Sequence, residues 1–238
     1  MRKSPEFLPI AVRAFPMRSS FLARSVLALA AVAAVTFLGA AGQLPPQRLT
    51  PAYSDEQKVL LDKISAYLNG IHSLKARFIQ IGPEGGTDQG TLYIQKPGQI
   101  RFEYDPPSAL LIVATNGRVY VKNSRLNTLD TYDLSDTPLG LLLNQNVDLK
   151  ANKAVMGVAD QNGAVIVQAR TSTNRNNSNI TLVFASPGLE LRQWTVRDNQ
   201  GGNTTVALQS VETGAAIDPA LFTPPQKAPR QTAAKSGR

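Results

Sequence analysis

His72 is the only imidazole in the chain, and there is no cysteine. These two facts remove most side-chain catalysis. A histidine-based triad would need a serine held beside His72 by a rigid frame, and no nucleophile-elbow motif surrounds it. One imidazole without thiolates cannot fill the usual zinc donor sets. His72 closes a helical pattern, where an exposed or capping position is expected. Gly82, Gly85 and Gly86 form a glycine-rich stretch between two strand patterns, not ahead of a helix. It reads as a hairpin loop. No Gly-Lys dipeptide occurs, so there is no P-loop. Glu103 and Asp105 share a polar strand face with Gln99 and Arg101, as a solvated surface would. The sequons at 179–181 and 203–205 carry little weight in a chain of bacterial character. No catalytic residue, metal or cofactor is expected.

A different chemistry, the solvation of an apolar ligand, is open to this sequence. Ile100, Phe102 and Tyr104 alternate with polar residues and share one strand face. Leu92 and Ile94 share a face with Lys96, and Val119 and Val121 alternate with Arg118, Tyr120 and Lys122. An apolar face of this kind is either a packed core or the lining of a ligand cavity. Periodicity alone does not separate the two.

The elements that carry these faces are legible. Ser54 and Gln57 have the spacing of a capping box, and Val59, Leu60, Ile64, Leu68 and Ile71 follow at helical intervals up to Asn69-Gly70. After that the period is two. Eleven strands are predicted, at 74–81, 89–96, 99–105, 109–115, 118–124, 128–133, 154–160, 164–171, 179–185, 189–198 and 203–211. Gly85-Gly86, Pro97-Gly98, Asn116-Gly117, Asn162-Gly163, Pro187-Gly188 and Gly201-Gly202 punctuate them. Such short connections imply antiparallel neighbours. Short helices are predicted at 137–145 and 218–222, and a polar loop at 174–179. The expected fold is mainly β (α+β): an open antiparallel sheet with its helices pressed on the apolar face.

The ends differ from the body. Arg18 and Arg24 precede an apolar run at 25–38, followed by Gly39, Ala40, Ala41 and Gly42. That order describes a secretory signal peptide over 1–41, with 1–16 a possible upstream extension before Met17. The run is shorter than the roughly 20 residues of a membrane span. A Pro-rich linker at 42–53 follows, then the folded domain at 54–226 and a basic tail at 227–238. The net charge of +8 comes from the two ends. Residues 1–41 hold five basic and one acidic residue, the tail holds four basic and none acidic, and the body is balanced. A nucleic-acid binder carries its charge on the folded face, so no nucleic acid is expected as partner.

Residues 92–107 (LYIQKPGQIRFEYDPP) resemble the signature region of the outer-membrane lipoprotein carrier (LolA) family. Phe78-Ile79-Gln80, the stretch 110–120 with Asn116-Gly117, the segment 138–143 and Phe222-Thr223-Pro224-Pro225 resemble further landmarks of that family in the same order. The resemblance implies a half-barrel of about eleven antiparallel strands lidded by short helices over an apolar cavity. It implies a periplasmic monomer that carries acylated lipoproteins, loaded by an ATP-driven release complex of the inner membrane and unloaded to an outer-membrane acceptor. On that reading Leu92, Ile94, Ile100, Phe102, Tyr104, Val119 and Val121 line the lipid-binding cavity. Lys96 stands where the family commonly has arginine and makes the lid contact, without arginine's planar fork. A carrier of another lipid on the same fold, or an exported non-catalytic protein-binding module with a dry core, fits the same residues.

Overall fold

The computed structural model describes residues 53–170 and 178–227. The expected signal peptide, nearly all of the linker, most of the polar loop and all of the tail but Lys227 lie outside them.

The chain opens with α1 (Asp55–Gly70), started by the capping box. Ser54 Oγ accepts the Gln57 N–H at 3.2 Å, and Gln57 Oε1 accepts the Ser54 N–H at 3.0 Å. The inward stripe is Leu61, Ile64, Ser65 and Leu68. Val59, expected on that stripe, faces solvent at 53 % exposure. Leu61, Ile64, Ser65 and Leu68 recur at three, four and seven residues, and that register leaves Val59 on the outer side.

Eleven strands follow, all antiparallel, as the alternation implied. They are β1 (Ser73–Ile81), β2 (Thr87–Gln95), β3 (Gln99–Tyr104), β4 (Leu110–Thr115), β5 (Arg118–Asn123), β6 (Thr128–Asp133), β7 (Val155–Gln161), β8 (Ala164–Arg170), β9 (Asn179–Ala185), β10 (Leu191–Arg197) and β11 (Asn203–Thr213). Their order across the single sheet is β6-β5-β4-β3-β2-β1-β11-β10-β9-β8-β7. β1 is therefore the central strand, flanked by the last strand of the chain. β11 runs two residues past its expected end. It carries a bulge opposite Ala76, with Ser210 at φ 49°, and such a bulge increases local twist.

The two edges of the open sheet, β6 and β7, are consecutive in sequence. The segment joining them crosses the concave face. It contains a 3₁₀ turn (Leu134–Asp136) and α2 (Gly140–Leu143). The helix predicted over 137–145 is thus four residues long. Beyond it the backbone leaves helical conformation, with Asn144 extended at ψ 143°. Leu142, Leu143, Val147 and Leu149 are buried there among α1 and the concave strand residues.

A second 3₁₀ turn (Pro219–Phe222) caps the opposite side. It packs on β3 and β4, where Arg101 Nη1 donates to Leu221 O at 3.1 Å and Phe222 is buried.

Candidate functional site

The concave face is built by alternation. Leu92, Ile94, Ile100, Phe102, Tyr104, Val119 and Val121 are all between 0 and 6 % exposed and belong to one apolar cluster with the inner residues of α1. Within that cluster a row of aromatic rings crosses the sheet. Tyr104 and Phe102 meet Phe78 edge to face at 5.1 and 5.3 Å, and Phe102 meets Trp194 at 6.2 Å. Edge-to-face contacts of this kind add to the burial of the rings.

Gly90 makes the row possible. A Cβ at that position would lie 2.1 Å from Glu103 O and 2.8 Å from Phe78 Cε1. Glycine in a strand interior weakens it but permits close backbone approach. Here β3 and the Phe78 ring fill the space a side chain would need.

A cavity of about 40 Å³ lies between this face and the lid segment. Phe102, Tyr104 and Val119 line it; Leu92, Ile94, Ile100 and Val121 are packed core beside it. The remaining wall was not read from the sequence. Ile112 and Tyr132 come from β4 and β6, Trp194 and Val206 from β10 and β11, and Pro138 and Leu139 from the lid. These residues converge because the sheet curls, and no local pattern carries that information. Three further polar side chains, Gln80, Thr137 and Thr204, line the cavity, and Tyr104 donates its hydroxyl to Gln80 Oε1 at 2.9 Å. Burial pushes the Tyr104 phenol above its ordinary range, so it stays a neutral donor.

The cover is held by side chains. Lys96 Nζ donates at 2.7 Å to Leu68 O, a carbonyl in the last turn of α1 that also accepts the Ile71 N–H at 3.3 Å. Its backbone N–H donates to His72 O at 2.8 Å, while the His72 side chain is exposed. Burial lowers the Lys96 pKa to about 8. Two residues along the hairpin tip, the Gly98 N–H donates to Leu143 O at 2.9 Å and so holds the end of α2. Farther along the lid segment, Asn69 binds the backbone of Val147, and Ser65 Oγ accepts the Leu149 N–H at 3.0 Å. The hairpin tip of β2 and β3 is therefore bonded to both α1 and α2.

The family model described as "Outer membrane lipoprotein carrier protein LolA" matches residues 69–225. The chain belongs to the LolA family. It is 25 % identical over 169 residues to an outer-membrane lipoprotein carrier protein of Methylococcus capsulatus, covering 67 % of this chain and 80 % of that one. It is 25 % identical over 177 residues to the protein of the same name from Dechloromonas aromatica, covering 69 % and 84 %. Among solved structures it is similar to a putative outer membrane lipoprotein-sorting protein domain from Vibrio parahaemolyticus, at 7 % identity and a TM-score of 0.44, over 71 % of this chain and 96 % of that domain. The LolA match spans every strand, the lid segment and the closing 3₁₀ turn. No group of three or more histidines, cysteines or carboxylates is placed to hold a metal among the described residues.

Proposed function

We propose that this protein is a periplasmic carrier that takes up the acyl chains of lipoproteins at the inner membrane and delivers them to the outer membrane. The observation that carries the reading is the lidded apolar cavity on the concave sheet, in a chain that belongs to the LolA family. Burial of acyl chain contributes about 0.8 kcal/mol per CH₂, so acylated cargo needs an apolar cover to cross water. A curved sheet of aliphatic and aromatic residues provides that cover without a specific pocket for each chain. Phe102, Tyr104 and Val119 line the cavity, Leu92, Ile94, Ile100 and Val121 continue the same apolar face in the core beside it, and Lys96 secures α1 over them.

A 40 Å³ cavity has room for water-sized molecules only. An acyl chain does not fit in that volume, so on this reading loading requires the lid segment to lift. With no nucleotide motif in the chain, the work of extraction falls to an ATP-driven partner in the inner membrane, and an acceptor in the outer membrane completes the transfer. The carrier acts as a monomer without catalysis.

The test is native mass spectrometry of the mature protein taken from the periplasm, with identification of what it holds. A stoichiometric acylated protein is the expected outcome. A bound free lipid would move the assignment to a lipid shuttle. Failure to take up acylated protein in a loading assay would defeat the carrier reading.

A further inference from the structure

The cavity wall has a polar end that packing does not require. Thr204, on β11, is 3 % exposed and lines the cavity, and its Oγ1 has no hydrogen-bond partner among the described residues. An unpaired buried hydroxyl costs stability that valine, its near-isostere, would not. Gln80, on β1, is 4 % exposed and lines the same cavity. Its Oε1 is occupied by the Tyr104 hydroxyl, which leaves the amide N–H₂ as the donating side of the group. Val206 is the strand partner of Gln80 and lies two residues from Thr204 on the same face, so the two polar groups are neighbours. Thr137 also lines the cavity, but its hydroxyl already donates to Leu134 O at 2.8 Å. Much of the remaining lining is apolar: Phe102, Ile112, Val119, Leu139, Trp194 and Val206.

Two adjacent donors in an apolar wall suit a ligand that brings an acceptor and no charge. Asp88 is the partner of Gln80 on the other side of β1, and its negative charge acts on the nearby Tyr104. No lysine, arginine or histidine lines the cavity. A carboxylate would therefore enter unpaired and against a negative field, at a large desolvation cost. A carbonyl oxygen would not.

We propose that Thr204 and Gln80 form a carbonyl-binding site at the polar end of the acyl cavity, and that its ligand is the neutral ester or amide carbonyl of an acyl chain rather than a fatty-acid carboxylate. The inference rests on the acyl-carrier reading and adds a selectivity to it. Thr204 Oγ1 and Gln80 Nε2 donate to the carbonyl oxygen, while the chain beyond it lies along the aromatic row. The head of the cargo is then held at one depth, which gives the chain a fixed direction in the cavity.

The experiment is displacement of a fluorescent alkyl probe from the mature protein by three competitors of equal chain length: a monoacylglycerol, the matching alkyl ether of glycerol, and the fatty-acid salt. The ester should bind roughly three- to tenfold tighter than the ether, the worth of about one neutral hydrogen bond, and the carboxylate weakest of the three. Thr204→Val should bring ester and ether to within about twofold, with ether affinity kept, while Thr204→Ser should retain the preference. The valine variant should melt no lower than the parent, and the wild-type comparison stands without any variant. Equal binding of ester and ether by the wild type overturns the carbonyl site alone. So does a preference that survives Thr204→Val, or a carboxylate that binds best. If none of the three competitors, nor the probe, binds, the acyl-carrier reading falls with it.

Discussion

Asn69 holds the backbone of Val147 with both ends of its amide. Nδ2 donates to Val147 O at 3.0 Å and Oδ1 accepts the Val147 N–H at 2.8 Å. A carboxamide presents the same donor and acceptor pair as a peptide unit, so α1 and the lid segment are joined as two strands would be. Ser65 repeats the device one turn back, with Oγ donating to Leu61 O at 2.7 Å and accepting from Leu149.

Asn69→Asp keeps the shape and removes the donor. Val147 O would then face a carboxylate across a partly buried gap. Destabilisation of about 1–3 kcal/mol is expected, read as a lower urea midpoint, with faster amide exchange at Val147 and Leu149. An unchanged exchange rate at both amides would show that the lid is held elsewhere.

Lys96 makes stability depend on pH in the alkaline range. Its pKa is about 8 in the folded protein, against an ordinary 10.5. Below pH 8 the charge is present in both states, and the folded state bears the full cost of burying it. Between about 8 and 10.5 the folded state releases the proton while the unfolded state keeps it. Where the unfolded state binds more protons, stability rises with pH. The wild type should therefore gain stability relative to Lys96→Gln between pH 8 and 10, measured by denaturant midpoints of both proteins in the same buffers. A flat difference across that window would contradict the burial of the ammonium.

Gly90→Ala places a methyl group against Glu103 O and the Phe78 ring. Over-packing of this kind costs about 1–3 kcal/mol and sometimes more. Because the clash is partly with backbone, the upper part of that range or beyond is expected. A thermal melt reports it, and a melting point equal to the parent's would mean that β3 can move away without loss.

Trp194 is the only tryptophan of the chain, and it is 2 % exposed in the cavity wall. Its emission should be blue-shifted in the unloaded protein. Acyl chains brominated along their length should quench it on loading, and unbrominated chains of equal length should quench much less. Absence of quenching by chains that demonstrably bind would place them outside this cavity.

Most strands were legible because they are short, alternate in burial, as β1, β2, β3 and β9 do, and in several cases end in a turn with a glycine or asparagine in the required conformation. Asn116, Asn162, Gly98, Gly117, Gly163 and Gly201 all have positive φ. The capping box was legible because both of its hydrogen bonds are local. The common face of Leu92, Ile94, Ile100, Phe102 and Tyr104 followed from parity. Which of these residues border the cavity did not, because that depends on the curl of the sheet: Ile100 packs in the core while Phe102, two residues on, touches the cavity. Trp194 and Tyr132 were missed for the same reason, since they reach the cavity from distant strands. The 137–145 helix was overestimated because its leucines mark burial, which an irregular segment held by Asn69 and Ser65 achieves as well. Lys96 sat on the correct face by parity, but its acceptor, Leu68 O, belongs to a helix end that alternation does not locate.

The lid is the connection between the two edge strands of the sheet. It cannot be shed, and it leaves the mouth without an independent door. Residues 134–154 could stretch to roughly 70 Å if fully extended, so the span has slack while it is folded against α1. A span of that reach can lift from α1 while its two ends stay on β6 and β7.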